Sequence, residues 1–262
     1  MTAKRFEGHV VIVTGGGKGL GEADAKLFAE DGAQVIVADI DCDNGRRVAD
    51  EIGDAACFHA HDVADESAWR ALVAEIVAKH GKLDVLVNNA GIINVNTPET
   101  ITAEELRRAW DVSVVGTMFG CKHALPAMKR NKHGGAIVNM SSITAIRGVP
   151  HVAAYSATKG AIEAYTRSLA VYCAQSGLRV RANAVLPAAI DTPMFHDFAA
   201  KLSALEAPVE EPPSSGEAPA LGHPHDVAAL VAFLASSDAR FLNGQCIALD
   251  NSASVTLGHV PS

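Results

Sequence analysis

The chain alternates between short apolar runs rich in β-branched residues and longer stretches whose apolar residues recur every three or four positions. The run HVVIVTG at 9–15 is apolar on successive residues, which is typical of a strand buried on both faces of a parallel sheet. The stretch at about 19–31 has the spacing of a helix. The two patterns recur and predict strands at 33–39, 56–62, 83–91, 135–142, 179–187 and 244–250, with helices at about 43–53, 66–81, 102–130 and 153–175. This alternation predicts an α/β fold, a Rossmann-like doubly wound parallel sheet of seven strands with helices on both faces.

One segment departs from this alternation. Residues 206–224, EAPVEEPPSSGEAPALGHP, are crowded with Pro, Glu, Ser and Gly, a composition that does not suit regular structure. The preceding stretch at 193–205 has an apolar face and predicts a helix. A long loop in a compact α/β protein is more often a lid or binding loop than an inert insertion. We therefore expect one domain over 1–262, with a lid at about 193–220.

Composition and charge narrow the classes of function. The chain is 48% hydrophobic and 20% charged, which suits a globular protein with a substantial core. Its net charge of −8 disfavours a nucleic-acid partner, because phosphate binding needs a basic surface. No apolar run approaches the ~20 residues of a membrane span, and the first residues lack the apolar stretch of a signal peptide. The five cysteines are dispersed, as expected for reduced thiols, so we expect a cytoplasmic protein without membrane or nucleic-acid partners.

Two histidine-rich stretches are the candidate metal sites. HAHD at 59–62 and GHPHD at 222–226 lack the further Cys, His or carboxylate groups that complete a defined site. The second stretch is better explained as a helix start, with Pro224 early and Asp226 in the first turn. No metal site is predicted.

A glycine cluster, TGGGKGLG at 14–21, lies where the first predicted strand meets the first predicted helix. Gly15, Gly19 and Gly21 allow a tight turn and let the backbone approach a pyrophosphate at the helix N-terminus. A glycine cluster alone also fits a flexible turn. Its position between a strand and a helix favours a dinucleotide-binding loop.

Asp39 ends the second predicted strand. A carboxylate there accepts hydrogen bonds from both hydroxyls of an adenosine ribose and repels a 2′-phosphate. Lys18 complicates this preference, because a cation in the glycine loop is able to contact that phosphate. A buried clash of like charges is costly, whereas a loop lysine can turn into solvent, so NAD is predicted over NADP.

Polar groups also end the third and fourth predicted strands. Asp62 is placed to bind the adenine amino group, and Val63 to offer a backbone N–H. NNAG at 88–91 combines two side-chain amides with a glycine that suits close backbone contact. Because the carboxyl ends of parallel strands share one edge of the sheet, these groups are predicted to line the ligand crevice.

A tyrosine and a lysine stand one helical turn apart at 155 and 159, in AAYSATKG. That pair arises by chance in many helices, but its surroundings are specific. The chain resembles the short-chain dehydrogenase/reductase family along almost its whole length, in TGGGKGLG, Asp62-Val63, NNAG, Ser142 before Tyr155, YSATK at 155–159 and NAVLPAAIDTPM at 183–194.

The resemblance implies a role for each matching residue. Tyr155 would exchange a proton with the substrate oxygen, Ser142 would hydrogen-bond that oxygen, and Lys159 would hold the nicotinamide ribose and lower the pKa of the tyrosine. A free phenol has a pKa near ~10, so nearby positive charge is needed to bring it toward the working pH. The cofactor-binding set that follows is Gly15, Gly17, Lys18, Gly19, Leu20, Gly21, Asp39, Ile40, Asp62, Val63, Asn89, Ala90, Gly91, Tyr155, Lys159, Pro187, Ile190 and Thr192.

Three positions depart from the family pattern. Ser113 stands where the family usually has an asparagine that supports a water between the lysine and solvent; we keep it as a candidate site residue of a proton relay. Pro187-Ala188 replaces the usual Pro-Gly. Asp-Asn-Ser at 250–252 replaces Asp-Gly-Gly, a change expected to affect assembly or turn geometry more than chemistry.

The expected activity is interconversion of a secondary alcohol and its ketone with NAD(H). The predicted substrate residues are Asn94, Thr144, His151, Ala188 and Met194. Apolar residues of the lid helix favour a cyclic or bulky apolar substrate, such as a hydroxysteroid, a terpenoid alcohol or a cycloalkanol.

Two alternatives stay open. One is a 3-oxoacyl-thioester reductase, although such reductases usually use NADPH. The other is a non-catalytic NAD-sensing or scaffold protein, against which the intact Ser142, Tyr155 and Lys159 argue. The resemblance also implies a homotetramer or homodimer, with the helices at about 102–130 and 153–175 forming one interface.

Overall fold

A seven-stranded sheet forms the centre of the molecule. The computed structural model describes residues 4–205 and 221–255. The strands are β1 (Val10–Thr14), β2 (Gln34–Asp39), β3 (Ala56–Ala60), β4 (Val85–Asn88), β5 (Gly135–Met140), β6 (Val180–Pro187) and β7 (Cys246–Leu249). All neighbouring pairs are parallel, and the strand order is β3-β2-β1-β4-β5-β6-β7. The predicted fold class is confirmed.

Helices cover both faces of this sheet. They are α1 (Gly19–Glu30), α2 (Cys42–Ile52), α3 (Glu66–His80), α4 (Ala103–Trp110), α5 (Gly116–Met128), α6 (Ala153–Gln175), α7 (Pro193–Ala204) and α8 (Pro224–Ala235). Val11 and Val13 of β1 pack in one core with α1 and α8, whereas Val10 and Ile12 pack in a second core with α3 and α5. Two buried faces explain why the strands are apolar at successive positions.

The direction of winding reverses between β1 and β4, which lie side by side although two strands separate them along the chain. Crossover connections leave this junction on opposite faces, so a crevice opens at the carboxyl ends of the two strands. The glycine loop after β1 and NNAG after β4 both border that crevice.

The prediction of one uninterrupted helix at about 102–130 was wrong. A π-helical turn at Asp111–Val115 separates α4 from α5. Ser113 lies within this turn, and the Thr117 hydroxyl donates a hydrogen bond of 2.7 Å to the Ser113 carbonyl. Turns of this kind break the regular hydrogen-bond ladder and recur at functional sites.

The segment predicted as a lid is described in part. Its first half is helix α7, which Thr192 caps, whereas residues 206–220 lie outside the described residues. The chain returns at Gly222, whose N–H donates to the Ala189 carbonyl and whose carbonyl accepts from the Asp191 N–H. The lid, and the extent of a single domain over 1–262, stay predictions.

The GHPHD stretch begins α8 as predicted. Pro224 opens the helix, and His223 and Asp226 form a reciprocal capping box around it. Among the residues described, no three His, Cys, Asp or Glu side chains gather as metal ligands. No helix in the described part of the chain is long and apolar enough to cross a membrane.

The turn that replaces Asp-Gly-Gly keeps a glycine-like backbone. Asn251 and Ser252 have φ angles of 44° and 68°, in the left-handed region that glycine adopts freely. Asparagine tolerates this region, whereas for serine it costs about 1 kcal/mol. These two residues therefore hold a backbone conformation that glycine adopts more easily.

Candidate active site

The glycine loop is folded tightly against the turn after β4. Gly15 and Gly19 have positive φ angles of 63° and 57°. A Cβ atom at Gly21 would collide with the Gly15 carbonyl oxygen, so the first turn of α1 approaches the loop as only glycine permits. This arrangement leaves the start of α1 open to a pyrophosphate.

Asn89 joins that loop to the turn after β4. Its side-chain amide donates to the carbonyls of Thr14 (2.9 Å) and Gly15 (3.2 Å). The Thr14 hydroxyl in turn accepts from the backbone N–H groups of Asn89 and Ala90. Asn89 therefore braces the loop; its direct contact with a cofactor stays a prediction.

Asp39 is held in place by two backbone donors. Its Oδ2 accepts from the Gly17 N–H and its Oδ1 from the Asp41 N–H, both at 2.8 Å. Each oxygen keeps a lone pair for a further donor, as a ribose hydroxyl would supply. The neighbouring Ile40 side chain is 66% exposed beside this carboxylate.

Lys18 does not reach into the crevice as an independent cation. Its Nζ lies 2.7 Å from Asp41 Oδ2, and Asp41 also caps α2 through the Asn44 N–H. The hydrogen bond from Lys18, aided by those from Asn44, lowers the pKa of Asp41 to about 2. Arg47 of α2 adds a hydrogen bond to the Gly17 carbonyl at 3.1 Å.

The residues after β3 form a second edge of the crevice. The Asp62 carboxylate accepts from the Ala64 N–H at 2.9 Å, and the Val63 carbonyl accepts from the Trp69 indole. Gly116, which follows the π turn, packs directly on Val63. Asp62 and Val63 therefore stand on a fixed turn at the end of β3.

The three side chains that the resemblance makes catalytic converge at the end of β5. Ser142 follows this strand, and its side chain is hydrogen-bonded with Tyr155. The buried Lys159 Nζ donates to the Met140 carbonyl at 2.7 Å and lies 5.3 Å from the centre of the Tyr155 ring. The structure brings Ser142, Tyr155 and Lys159 together as the spacing predicts.

Burial moves the pKa values of both titrating groups toward their neutral forms. It raises the pKa of Tyr155 to about 12, and the Ser142 hydrogen bond offsets this only in part. It lowers the pKa of Lys159 to about 8. The expected lowering of the Tyr155 pKa therefore does not come from these groups alone and requires further positive charge beside the phenol.

Ser113 lies behind this pair. It is fully buried, and no group in the described part of the chain pairs with its hydroxyl. A Cβ built on Gly91 would lie 3.4 Å from Lys159 Nζ and 3.7 Å from Ser113 Oγ, so both atoms border the same space. The position fits the predicted relay, whose operation remains a prediction.

The segment after β6 faces the glycine loop. Pro187 and Ile190 are buried, and the Thr192 hydroxyl accepts from the Phe195 N–H and donates to the Ile190 carbonyl. A Cβ on Gly19 would lie 3.3 Å from Thr192 Cγ2. The resemblance places Thr192 near the nicotinamide and the glycine loop near the pyrophosphate. The structure brings Thr192 into contact with that loop at Gly19.

The predicted substrate residues lie on several separate segments, and Thr144 contacts Ser142. The Thr144 N–H donates to Ser142 Oγ at 3.2 Å, and the His151 carbonyl accepts from the Asn96 N–H at 2.9 Å. Ala188 follows β6, and Met194 is 43% exposed in the first turn of α7.

Two residues that act on the glycine loop were missed from the sequence. Asp41 pairs with Lys18 of that loop, and Arg47 of α2 donates to the Gly17 carbonyl. An acidic residue before a helix predicts only an N-cap, and Asp41 does cap α2. Nothing in the sequence pairs it with Lys18.

Comparisons with known proteins agree with this geometry. A family model described as enoyl-(acyl carrier protein) reductase matches residues 15–252. A 3-beta-hydroxysteroid dehydrogenase of Comamonas testosteroni is 35% identical over 248 residues, covering 95% of this chain and 96% of the relative. An NADP-dependent (R)-specific alcohol dehydrogenase of Lentilactobacillus kefiri is also 35% identical over 248 residues, covering 94% and 96%. An L-fucose dehydrogenase of Bos taurus is 36% identical over 255 residues, covering 97% and 92%.

Proposed function

Because the chain belongs to the short-chain dehydrogenase/reductase family of nicotinamide-dependent oxidoreductases, we propose that it interconverts a secondary alcohol and its ketone with NAD(H). The observation that carries this proposal is the convergence of Ser142, Tyr155 and Lys159 at the carboxyl end of β5, beside the glycine loop. A protein that only binds NAD does not require a hydroxyl, a phenol and a buried ammonium close together.

The crevice fits a nicotinamide dinucleotide. Gly91 leaves open the space beside Lys159 Nζ that a side chain would fill, and both Asp39 oxygens keep lone pairs for further donors. The glycine loop would hold the pyrophosphate, Asp39 the adenosine ribose, and Ile190 and Thr192 the carboxamide. When bound, the nicotinamide supplies hydride transfer to or from the substrate carbon.

The chain's own residues move the proton. In alcohol oxidation, the Tyr155 oxygen takes the proton of the substrate hydroxyl, while Ser142 hydrogen-bonds the same oxygen and orients it. Lys159 holds the nicotinamide ribose and stabilises the Tyr155 phenolate by its charge. Ser113 is placed to hold a water that returns the proton toward solvent.

The NAD preference is supported by two carboxylates. The Asp39 oxygens are fixed by backbone donors where a 2′-phosphate would have to lie, and Asp41 draws Lys18 away from it. A phosphate there would meet two negative charges and no independent cation among these residues. The relatives leave the choice open, since one is NADP-dependent by name.

Asp41→Asn is expected to weaken this discrimination. Asparagine keeps the α2 cap, removes one negative charge and releases Lys18. We expect the affinity for 2′,5′-ADP to rise about tenfold relative to 5′-ADP, measured by isothermal titration calorimetry. Asp43→Asn, the same charge change two residues along, is the matched control. If the double variant Asp41→Asn/Lys18→Met keeps the higher affinity for 2′,5′-ADP, then Lys18 does not contribute to it.

The proposed substrate is cyclic or bulky, in keeping with Met194 and the other apolar residues of α7. A second candidate, 3-oxoacyl-thioester reduction, is favoured by the description of the matching family model but opposed by Asp39. Assembly as a homotetramer or homodimer through α5 and α6 is a prediction.

One assay separates these functions. Absorbance of the reduced nicotinamide is followed with NAD(H) and NADP(H) against cyclic alcohols, their ketones and 3-oxoacyl thioesters. We expect turnover of a cyclic alcohol with NAD. Preferred turnover of a thioester with NADPH would establish the second candidate, and tight NAD binding without turnover would establish a sensor or scaffold.

A further inference from the structure

Buried polar atoms without partners lie on the segments that adjoin Ser142 and Tyr155. Among the described residues these atoms are Asn94 Oδ1, Asn96 Nδ2 and Oδ1, Thr144 Oγ1, His151 Nδ1 and Ser156 Oγ. More than ~90% of buried polar groups in proteins are hydrogen-bonded, and an unpaired one costs about 1–3 kcal/mol. A wall with six such atoms is therefore costly unless water or a bound ligand pairs with them.

Three segments carry these atoms, and the backbone joins them into one wall. The Asn96 N–H bonds to the His151 carbonyl, which aligns the loop after β4 with the residues that lead into α6. Ser156 follows in the first turn of α6, directly after Tyr155. Thr144 bonds to Ser142 within a single 3₁₀ turn, and α6 packs against that turn.

Asn96 is the most informative member of this wall. Its side chain is buried, with the residue only 4% exposed, and no described residue pairs with either end of its amide. An amide offers a donor and an acceptor together, which matches a hydroxyl group. Asn94 is anchored differently: its side chain hydrogen-bonds Glu105 of α4, and only its oxygen is left over.

The chemistry of the wall restricts what it binds. The six atoms belong to amide, hydroxyl and imidazole groups, which pair with hydroxyl or carbonyl oxygens. A carboxylate or phosphate would call for a guanidinium or ammonium in this set instead. The substrate site would then be polar along these segments, in contrast to the apolar residues of α7.

We propose that this wall is a subsite for a second oxygen of the substrate, so that the natural substrates are diols, polyols or hydroxyketones. One oxygen lies between Ser142 and Tyr155 and reacts; a neighbouring oxygen is held by Asn96, Thr144 and Ser156. The inference rests on the proposed alcohol dehydrogenase function and narrows its substrate class. The ring carbons of a cyclic diol would lie toward Met194.

The test compares 1,2-cyclohexanediol with cyclohexanol, using NAD and the intact protein. One well-placed hydrogen bond to the second hydroxyl is worth about tenfold, so we expect kcat/KM to be at least ~10-fold higher for the diol. Thr144→Val, Asn96→Leu and Ser156→Ala should each reduce the ratio of the two kcat/KM values severalfold. Ser168→Ala, an exposed serine on the same helix, should leave the ratio unchanged.

The outcomes separate this subsite from the proposed function. Oxidation of both alcohols with a ratio near one, unchanged in the Thr144 and Ser156 variants, would overturn the subsite and leave the dehydrogenase standing; water would then satisfy the wall. No oxidation of any alcohol in the panel would overturn both. Thr144→Val replaces one hydroxyl with a methyl group and Ser156→Ala removes one hydroxyl, so both remain informative if Asn96→Leu fails to fold.

Discussion

Tyr155→Phe is expected to lower turnover at least ~100-fold while NADH binding stays nearly unchanged. The substitution removes only the oxygen that exchanges a proton with the substrate, and the ring keeps its place above Lys159. Turnover is measured by absorbance of the reduced nicotinamide, and NADH binding by quenching of protein fluorescence. The pairing of a large kinetic loss with intact binding is the signature of a group that acts in the transition state.

Tyr172→Phe is the matched control, because Tyr172 lies on the same helix and is 51% exposed. It should change neither quantity. Near-normal turnover in Tyr155→Phe would remove the acid/base role from this residue. Loss of NADH binding together with turnover would assign Tyr155 to cofactor binding instead.

Asp24 predicts a second large effect, on stability. This carboxyl lies on the buried side of α1, its residue is 0% exposed, and neither oxygen has a hydrogen-bond partner among the described residues. Burial raises the pKa of Asp24 to about 8. The folded protein therefore keeps a proton that the unfolded chain releases near pH 4.

Stability should accordingly fall as the pH rises from about 4 to about 8, by about 1.4 kcal/mol per pH unit. Asp24→Asn keeps the shape of the side chain and cannot ionise, so this part of the pH dependence disappears. Between pH 5 and pH 7, we expect the wild-type free energy of unfolding to fall by about 3 kcal/mol more than that of the variant.

Urea denaturation at pH 5, 6 and 7 measures this difference. Asp50→Asn, at an exposed position on α2, provides the same loss of charge without burial and should run parallel to wild type. Parallel curves for Asp24→Asn and wild type would mean that the buried carboxyl is ionised and paired in solution.

The order of the elements and much of the site could be read from the sequence. Strands buried on both faces have successive apolar residues, so β1 and β2 were found within one residue of their ends. The glycine loop and the Tyr155–Lys159 pair are local spacings whose geometry follows from the turn or helix that contains them. Ser142 was added to them only by the resemblance to the short-chain dehydrogenase/reductase family.

The π turn at Ser113 could not be predicted in this way. The residues of α4 and α5 suit one regular helix, and nothing in their pattern marks the π turn between them. A helical pattern reports the average periodicity of a segment and not a single displaced hydrogen bond.

What the sequence determined by itself is the fold and the family, because the alternation of strands and helices and the motifs at the strand ends are local patterns along the chain. What only the tertiary structure decided is how individual side chains are surrounded: Lys18 pairs with Asp41, and the Asp24 carboxyl and the Asn96 amide are buried with no hydrogen-bond partner among the described residues. These features depend on side chains from different elements coming within a few ångströms of each other. Burial and charge at that distance set pKa values and specificity, and no pattern along the chain records them.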